Sequence, residues 1–585
     1  MQKNAYEMSR KRKMLFFQLS TIMLISFFGA SNAVELTAVV QTVSGPVQGA
    51  ILTTVNLVKY AAFTGIPFAK PPVGNLRFKP PIDPDPWTEV YNATTDAPDC
   101  FQFRWQTMEI TGDEDCLYLN VATTVWNLTE APTELKAVMF WIYGGVFSSG
   151  SASFKSFPPD YLLEKDIVYV SVNYRNGPFG YLSLNYPTAS GNSALKDLVQ
   201  GLKWVQKNIA KFGGNPNNVT IMGGSSGSAV VGYLVLSNSA AGLFHGSISM
   251  SGVPLNPWAF QTTAKCLHYA HRLTDELGIS WTNPNSILEA LYDVPAWNIT
   301  NAAAHIAPIF EPFIPTLENE SIAIEPFLTE CIVTKYLTGR FNQIPQIIGY
   351  EDQETVSIVT MPDFIGEVID QCINAAEMYH MDVPESIMSA KERLNRNLSL
   401  YDDVNYEELP DFINQTSNLM FIAGIDQTQR FLAANNKDNP VYYYDISFYT
   451  NGPHELALNN SLPGAGHGDD ITFIFYYPQM NYSTNPTSPV RRTINRMVTM
   501  WTNFAKYGNP TPDWVAGGYP LNITWPDSGI SGIVLDIGNE LTIHRRIVTA
   551  DMDDDENSSW RYLSGITECD NNSRITFTVP LETLP

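Results

Sequence analysis

The chain has 585 residues, of which 44% are hydrophobic and 12% are aromatic, and it carries 59 acidic against 35 basic residues. Such a composition excludes an intrinsically disordered chain, because the apolar side chains suffice for a sizeable core. The net charge of -24 argues against nucleic acid and anionic lipid as partners, since a negative surface repels both. We therefore expect a large globular protein.

The first element along the chain is a targeting segment. Four basic residues at 10–13 precede an apolar stretch at 14–30, and small residues ending at Ala33 suit a signal peptidase. This predicts a signal peptide over 1–33 and a secreted, extracellular chain over 34–585 with no membrane span after leader cleavage. A signal anchor is the alternative, because the apolar stretch is close to the shortest length that spans a bilayer.

A candidate nucleophile follows in the middle of the chain. Residues 219–227 read Val-Thr-Ile-Met-Gly-Gly-Ser-Ser-Gly, so an apolar β-branched run meets a Gly-x-Ser-x-Gly pattern before a helix-compatible segment at 228–234. This predicts a strand, a turn and a helix. A serine hydroxyl is a weak nucleophile unless the turn projects it and a base removes its proton. Ser225 is the serine that such a turn would project.

Two helper groups lie downstream. Residues 345–350 predict a short buried strand closed by Gly349, and the carboxylates of Glu351, Asp352 and Glu354 follow it. Any of the three could orient a catalytic histidine, and spacing alone does not choose among them.

His467 is the candidate base, because it lies in a loop of small residues at 464–470 where an imidazole can reach a serine. The order nucleophile, acid, histidine is the one that α/β-hydrolases use. No His/Cys cluster has zinc spacing, so the sequence predicts neither a metal nor an organic cofactor.

Several longer stretches point to a known family. They are Phe-Thr-Gly-Ile-Pro-Phe-Ala-Lys-Pro-Pro-Val-Gly at 63–74, Glu-Asp-Cys-Leu-Tyr-Leu-Asn-Val at 114–121, Trp-Ile-Tyr-Gly-Gly at 141–145, Val-Asn-Tyr-Arg at 172–175, Phe-Gly-Gly-Asn-Pro at 212–216 and Trp-Thr-Asn-Phe-Ala-Lys-Tyr-Gly at 501–508. With these stretches the chain resembles a type-B carboxylesterase of the cholinesterase superfamily, and most of all the secreted arthropod carboxylesterases. The resemblance implies an α/β-hydrolase fold: a central, mostly parallel sheet flanked by helices, with long insertions that form an active-site gorge, all in one domain over 34–585.

The resemblance also assigns the catalytic groups. It implies that Glu354, five residues after Gly349, is the acid that joins Ser225 and His467 in a triad. Acyl transfer further needs donors for the oxyanion, and the family pattern places them on the backbone of Gly145, Val146 and Ser226.

Two positions depart from the family pattern. Val146 stands where the third glycine of the oxyanion loop is expected, and a β-branched residue there is strained if the backbone needs positive φ. Gly224 stands beside the nucleophile where relatives often have an acidic or amide residue, which makes choline esters poor candidate substrates.

The same resemblance assigns scaffold and pocket roles to other residues, and sequence patterns add sites related to export. The resemblance implies ion pairs between Arg77 and Glu114 and between Arg175 and Asp197. Trp258 corresponds to a wall of the acyl pocket in the family. Cys100 and Cys116 correspond to the family's first disulfide. Cys266, Cys331, Cys372 and Cys569 admit three pairings, and the sequence does not choose. Export predicts glycosylation at the Asn-x-Ser/Thr sites Asn92, Asn127, Asn298, Asn319, Asn397, Asn414, Asn459, Asn481, Asn522, Asn557 and Asn571.

The sequence thus predicts a secreted serine carboxylesterase that acts on a small-molecule ester through an acyl-enzyme, and it leaves the oligomeric state open. Two alternatives differ in class. One is a catalytically weak or silent binding or adhesion protein of the same fold, suggested by Val146 and Gly224. The other is an esterase specialised for a hormone or pheromone, although relatives dedicated to juvenile hormone tend to carry Gln at the position of Gly224.

Overall fold

The computed structural model describes residues 34–104, 107–130, 132–307, 312–357, 362–378, 382–396, 409–450, 462–516 and 521–546. The predicted leader and the candidate residues Asn397, Asn459, Asn557, Cys569 and Asn571 lie outside these ranges. Every helix within them is too short or too polar to cross a membrane.

An eleven-stranded sheet forms the centre of the described structure. In chain order its strands are β1 (Ala50–Thr53), β2 (Lys59–Pro67), β3 (Tyr118–Thr123), β4 (Lys136–Ile142), β5 (Val168–Val172), β6 (Gly214–Gly224), β7 (Gly246–Met250), β8 (Gln346–Glu351), β9 (Val441–Ile446), β10 (Ile533–Ile537) and β11 (Leu541–Arg545). Across the sheet they lie in the order β11-β10-β9-β8-β7-β6-β4-β5-β3-β2-β1. Neighbours from β5 to β10 run parallel, whereas the pairs at both edges are antiparallel. The mostly parallel sheet that the resemblance implied is confirmed.

Strand β4 is apolar and buried from Ala137 to Ile142, because both faces of the sheet are covered. In β4, Val138, Phe140 and Ile142 belong to one hydrophobic core, and Met139 and Trp141 belong to a second core. Successive side chains of a strand point to opposite faces, so one strand supplies both cores. Near-continuous apolar runs are typical of parallel sheets buried in this way.

Helices cover the two faces. They are α1 (Asp160–Leu163), α2 (Gly177–Tyr181), α3 (Ser193–Asn208), α4 (Ser226–Leu236), α5 (Thr263–Glu276), α6 (Pro284–Asp293), α7 (Ala296–Ile306), α8 (Ile332–Leu337), α9 (Pro362–Met378), α10 (Glu385–Asn395), α11 (Leu409–Ser417), α12 (Ala423–Asn435), α13 (Asp469–Ile474), α14 (Pro489–Tyr507) and α15 (Asp513–Ala516). Val230 of α4 packs in the first core and Trp501 of α14 packs in the second, so these helices lie on opposite faces.

The remaining strands form small separate sheets. They are Val40–Gln41 with Pro46–Gln48 and Tyr91–Asn92, Gln102–Arg104 with Glu109–Thr111, and Ser183–Tyr186 with Ala189–Ser190.

The connection pattern creates a crevice at one edge of the sheet. From β4 the chain proceeds to β5 on one side, and β6 then returns to the other side of β4. Ligand sites of open α/β sheets lie at the carboxyl ends of strands where the strand order reverses in this way. The glycine-rich loop after β4 and Ser225 after β6 both lie at that point.

One sequence prediction about a strand end is wrong. β8 does not close at Gly349 but continues to Glu351. Gly349 is needed inside the sheet, because a Cβ atom there would lie 2.3 Å from the ring of Tyr444 on β9. The glycine thus marks close packing between strands rather than a turn.

Candidate active site

Ser225 occupies a tight turn between β6 and α4. Its backbone has φ 59° and ψ -129°, and its N–H donates to the carbonyl of Met250 at 2.8 Å. A Cβ atom on Gly227 would lie 2.3 Å from the carbonyl oxygen of Ile142, so only glycine permits this approach of helix and strand. The predicted strand, turn and helix are present, and they hold the serine at the carboxyl edge of the sheet.

The three residues of the predicted triad meet at this edge. His467 Nε2 lies 2.8 Å from Ser225 Oγ, and His467 Nδ1 lies 2.6 Å from Glu354 Oε2. The backbone N–H of His467 also donates to the carbonyl of Glu354 at 3.0 Å. An imidazole protonated at Nδ1 can therefore donate to the carboxylate while Nε2 accepts the serine proton.

Geometry also separates the three candidate acids. Glu354 contacts the imidazole, whereas Asp352 Oδ1 accepts the N–H of Ala465 at 2.7 Å and Glu351 accepts the hydroxyl of Ser251. Of the three carboxylates that the residues left open, Glu354 is the one that lies next to the imidazole, and its role as the catalytic acid stays a prediction.

Burial shifts the pKa values of both His467 and Glu354. The surrounding protein lowers the pKa of His467 to about 4, because burial disfavours the imidazolium, although Asp470 and Asp469 oppose this effect. Burial raises the pKa of Glu354 above its usual value, and hydrogen bonds from Ser251 and Glu351 oppose it. The imidazole is thus neutral at neutral pH, which is the form that can accept a proton.

The loop after β4 presents backbone donors beside Ser225. Gly145, Val146 and Phe147 all have positive φ, at 132°, 55° and 61°. Among the described residues, none accepts a hydrogen bond from the N–H of Gly145 or Val146. The N–H of Ser226 is the first of α4 and has no acceptor within the helix. Phe147 donates its N–H to Ser226 Oγ at 3.2 Å, which ties the loop to the helix start.

Comparison with known proteins decides the family. The sequence model of the carboxylesterase family matches residues 36–553. The chain is 32% identical to a juvenile hormone esterase from Tribolium castaneum, over 83% of this chain and 86% of that protein. It is also 32% identical to an acetylcholinesterase from Bungarus fasciatus, over 82% of this chain and 80% of that protein.

The chain belongs to the carboxylesterase family. A solved structure agrees: juvenile hormone esterase from Manduca sexta, with OTFP covalently attached, is similar with a TM-score of 0.76 and 26% identity, over 91% of this chain and all of that one. This carboxylesterase therefore has the α/β-hydrolase fold, and it is a carboxylic ester hydrolase that acts on small-molecule esters.

Aromatic side chains surround His467 next to the predicted triad. The buried ring of Trp258 lies 6.2 Å from Phe147 and 5.5 Å from Phe421, and Phe421 lies 4.7 Å from the His467 ring. Trp258 Nε1 donates to the carbonyl of Met420 at 2.7 Å. Phe421 lines the candidate site between Trp258 and His467, and the sequence did not predict it.

Phe421 belongs to a π-helical turn, Asn418–Ile422, that joins α11 and α12. The side chain of Asn256 donates to the carbonyls of Met420 and Phe421 at 3.0 and 2.7 Å, which stabilises the irregular turn. Single π-turns inside helices occur often at functional sites. Nothing in the apolar run around Phe421 distinguishes this turn from an ordinary core helix.

The space beside Ser225, the predicted nucleophile, is occupied by a side chain of another element. A Cβ atom on Gly224 would lie 2.8 Å from Cδ1 of Ile471 on α13. Ile471 therefore occupies the space of the acidic or amide side chain that relatives often carry there, and this carboxylesterase has an apolar group at that point.

Both implied ion pairs are present in the carboxylesterase. Arg77 binds both carboxylate oxygens of Glu114 at 2.6 Å. Arg175 binds Asp197 at 2.6 and 2.8 Å, and this second pair is almost fully buried.

The cysteines follow the sequence prediction only in part. The Cys100–Cys116 disulfide is present. The expectation that the other four pair with one another is wrong for Cys266 and Cys372, which are free, buried thiols. Cys331 is disulfide-bonded.

One group of donors among the described residues could hold a metal ion. Glu351, Glu354 and His467 offer ligand atoms within 4.8 Å of one another. The hydrogen bond between Glu354 and His467 already accounts for two of them. The sequence prediction of a site without metal stays a prediction.

The predicted glycosylation sites are accessible wherever the structure describes them. The exposed asparagines are Asn92, Asn127, Asn298, Asn319, Asn414, Asn481 and Asn522.

Proposed function

We propose that the protein hydrolyses carboxylic esters through a Ser225–His467–Glu354 triad and an acyl-enzyme intermediate. The observation that carries the proposal is the pair of short contacts at His467, 2.8 Å to Ser225 Oγ and 2.6 Å to Glu354 Oε2. Membership of the carboxylesterase family supports the same reaction class.

The proposed reaction has two acyl-transfer steps. Ser225 Oγ attacks the ester carbonyl carbon while its proton passes to His467 Nε2, and Glu354 stabilises the imidazolium. When the tetrahedral intermediate collapses, the carbon–oxygen bond to the alcohol breaks and His467 returns the proton to the leaving oxygen. Water then attacks the acyl-serine with the same proton transfers and releases the acid. This chemistry requires neither a metal nor an organic cofactor.

The oxyanion donors we propose are the N–H groups of Gly145, Val146 and Ser226. Each such donor contributes about 3 to 4 kcal/mol to the transition state when its loss is measured by mutation. The absence of described acceptors for the N–H groups of Gly145 and Val146 supports this role.

A burst experiment tests the proposal on purified full-length protein. With p-nitrophenyl acetate and butyrate, we expect one equivalent of p-nitrophenol in a fast phase before steady turnover, because the acyl-enzyme accumulates. A fluorophosphonate should label one serine per chain. Folded protein that gives neither a burst nor labelling would favour the alternative of a silent binding protein.

Val146 is proposed to restrict the esters that this site accepts. A valine at φ 55° is strained by about 1 to 2 kcal/mol, and its half-buried side chain belongs to the loop that carries the proposed oxyanion donors. We expect Val146→Gly to raise kcat/KM for butyrate relative to acetate by about tenfold, which is the effect of a methyl-sized change in a pocket.

Val146→Ala is the matched control for that measurement. It removes the branched bulk but keeps an L-residue at positive φ, so it separates steric restriction from backbone strain. An acetate-to-butyrate ratio that stays at the wild-type value in both variants would contradict the proposed restriction.

We further propose that the protein is exported as a glycoprotein after cleavage of residues 1–33. The leader pattern, the disulfide at Cys100–Cys116 and the exposed sequons support this. Expressed in a secretory cell, the protein in the medium should begin at Val34, and glycan removal should lower its mass. A chain that still begins at Met1, or one that stays with the membrane fraction, would favour the signal anchor.

A hormone-specific esterase is the second candidate. It is favoured by the similarity to proteins named juvenile hormone esterase, whereas Gly224 and the apolar Ile471 that covers it depart from the Gln expected in such enzymes. A long-chain unsaturated methyl ester that outcompetes p-nitrophenyl butyrate by orders of magnitude would establish it.

A further inference from the structure

A second glutamate lies behind the proposed triad. Glu351 is fully buried at the end of β8, and its Oε1 accepts the N–H groups of Gly468 and Asp470 at 3.2 and 3.3 Å. Ser251 donates its hydroxyl to Oε2, and the N–H of Glu351 itself donates to Glu354 Oε1 at 3.2 Å. One side chain thus contacts Ser251 and the loop that carries His467, while its backbone contacts the proposed catalytic acid.

Glu351 is one of three carboxyl groups buried together. Glu354 is fully buried, and Asp470, which is 1% exposed, accepts the hydroxyl of Tyr444 at 3.3 Å. Among the described residues, no lysine or arginine forms an ion pair with any of the three. Carboxylates in contact without a cation cannot all be ionised, so the group must retain protons at neutral pH.

The environment indicates where those protons reside. Burial, with repulsion from Glu354, raises the pKa of Glu351 well above its usual range, and burial with repulsion from Glu351 does the same for Asp470. Burial also raises the pKa of Glu354, to about 8, and hydrogen bonds from Ser251 and Glu351 oppose this rise. What sets Glu354 apart is its contact with the imidazole, at 2.6 Å from His467 Nδ1. The titratable groups that face Glu351 from the packed elements are Glu354, Tyr444, His467 and Asp470.

We propose that Glu351 is a positioning residue of the ester-hydrolysis reaction: as a neutral carboxylic acid it fixes the loop of His467 to the turn of Glu354 and leaves the negative charge on Glu354. Its carbonyl oxygen accepts the two loop N–H groups, and its hydroxyl donates to Glu354. The inference rests on the proposed triad, and Glu351 itself touches neither substrate nor the reacting atoms.

The test compares Glu351→Gln with Glu351→Ala in the full-length protein. The amide of glutamine keeps one acceptor and an N–H donor and cannot ionise, so Glu351→Gln should retain kcat within about threefold at pH 7. Alanine removes every side-chain contact and should lower kcat at least tenfold with KM unchanged. Glu289→Gln, at an exposed position on α6, removes the same formal charge and is the control.

The pH profile supplies a readout that a purely structural role would not move. Because the pKa of Glu351 is raised, the group is neutral below that pKa and ionises as pH rises through it, which places a second negative charge beside Glu354. Wild-type kcat should therefore decline at alkaline pH, and Glu351→Gln should lack that decline while Glu289→Gln keeps it.

Three results would overturn the proposal: an alkaline limb that is identical in wild type and Glu351→Gln, a glutamine variant as inactive as the alanine variant, or an alanine variant with wild-type kcat. If Glu351→Ala does not fold, the pH profile of Glu351→Gln decides. Wild-type protein without Ser225-dependent turnover would instead refute the proposed triad, and with it the role of Glu351.

Discussion

The Ser225→Ala variant should hydrolyse p-nitrophenyl butyrate about 10⁴-fold or more slowly than wild type and remain folded. Removing the nucleophile of a serine triad costs this much because no other group can form the acyl-enzyme. The substitution deletes only Oγ, whose described hydrogen bond is to His467, so the strand–turn–helix geometry should persist. The measurement is steady-state turnover together with fluorophosphonate labelling, and both should vanish.

His467→Ala provides the matched comparison. Members of a triad act as a unit. A variant that carries both Ser225→Ala and His467→Ala should therefore hydrolyse p-nitrophenyl butyrate no more slowly than the slower of the two single variants. Unchanged circular dichroism and thermal unfolding establish that folding is preserved. Turnover that survives Ser225→Ala at the wild-type rate would contradict the assignment of the nucleophile.

Asp197→Asn should lower the free energy of unfolding by about 3 to 5 kcal/mol. The substitution leaves the guanidinium of Arg175 buried without its counter-charge, and such an uncompensated charge is costly. Arg175 is 2% exposed, and Asp197 accepts hydrogen bonds from its side chain at 2.6 and 2.8 Å and from its backbone at 3.2 Å. Urea unfolding followed by tryptophan fluorescence measures the loss.

Two controls separate this effect from a general loss of charge. Glu392→Gln breaks an exposed pair with Arg396 and should change stability by less than about 1 kcal/mol. Replacing Arg175 by Met and Asp197 by Leu together should recover part of the loss, because no charge remains buried. A loss at Asp197 no larger than the loss at Glu392 would contradict the argument.

The sequence could predict the strand, turn and helix around Ser225 because the signal is local. Ser225 lies between an apolar strand and a helix with glycines on both sides, and each of these features is legible in nine consecutive residues. The mostly parallel sheet was implied by the resemblance to a family. The sequence predicted strain at Val146 only on the condition of a positive φ, and the backbone there has φ 55°.

Features that depend on long-range packing were not predictable in the same way. The residues alone left Glu351, Asp352 and Glu354 equivalent, because what separates them is which oxygen faces the imidazole across 113 residues of chain. Phe421 enters the site through a π-turn that Asn256 stabilises from 165 residues away. Cys266 is a free thiol because of its surroundings in the folded chain, and the spacing of cysteines along the sequence does not reveal those surroundings.

The distribution of the site over the sheet has a consequence for how the protein reaches its active state. Ser225 follows β6, Glu354 follows β8 and His467 follows β9, and the serine and histidine are 242 residues apart in the chain. Parallel pairing of such distant strands requires long loops to close, at a cost in chain entropy, before stabilising contacts form. Folding of such a sheet is therefore intrinsically slow. The site is assembled only when β6 to β9 have all paired. A nascent chain, or one truncated before β9, therefore lacks the contact between Ser225 and His467. We expect esterase activity to appear only when the sheet is complete.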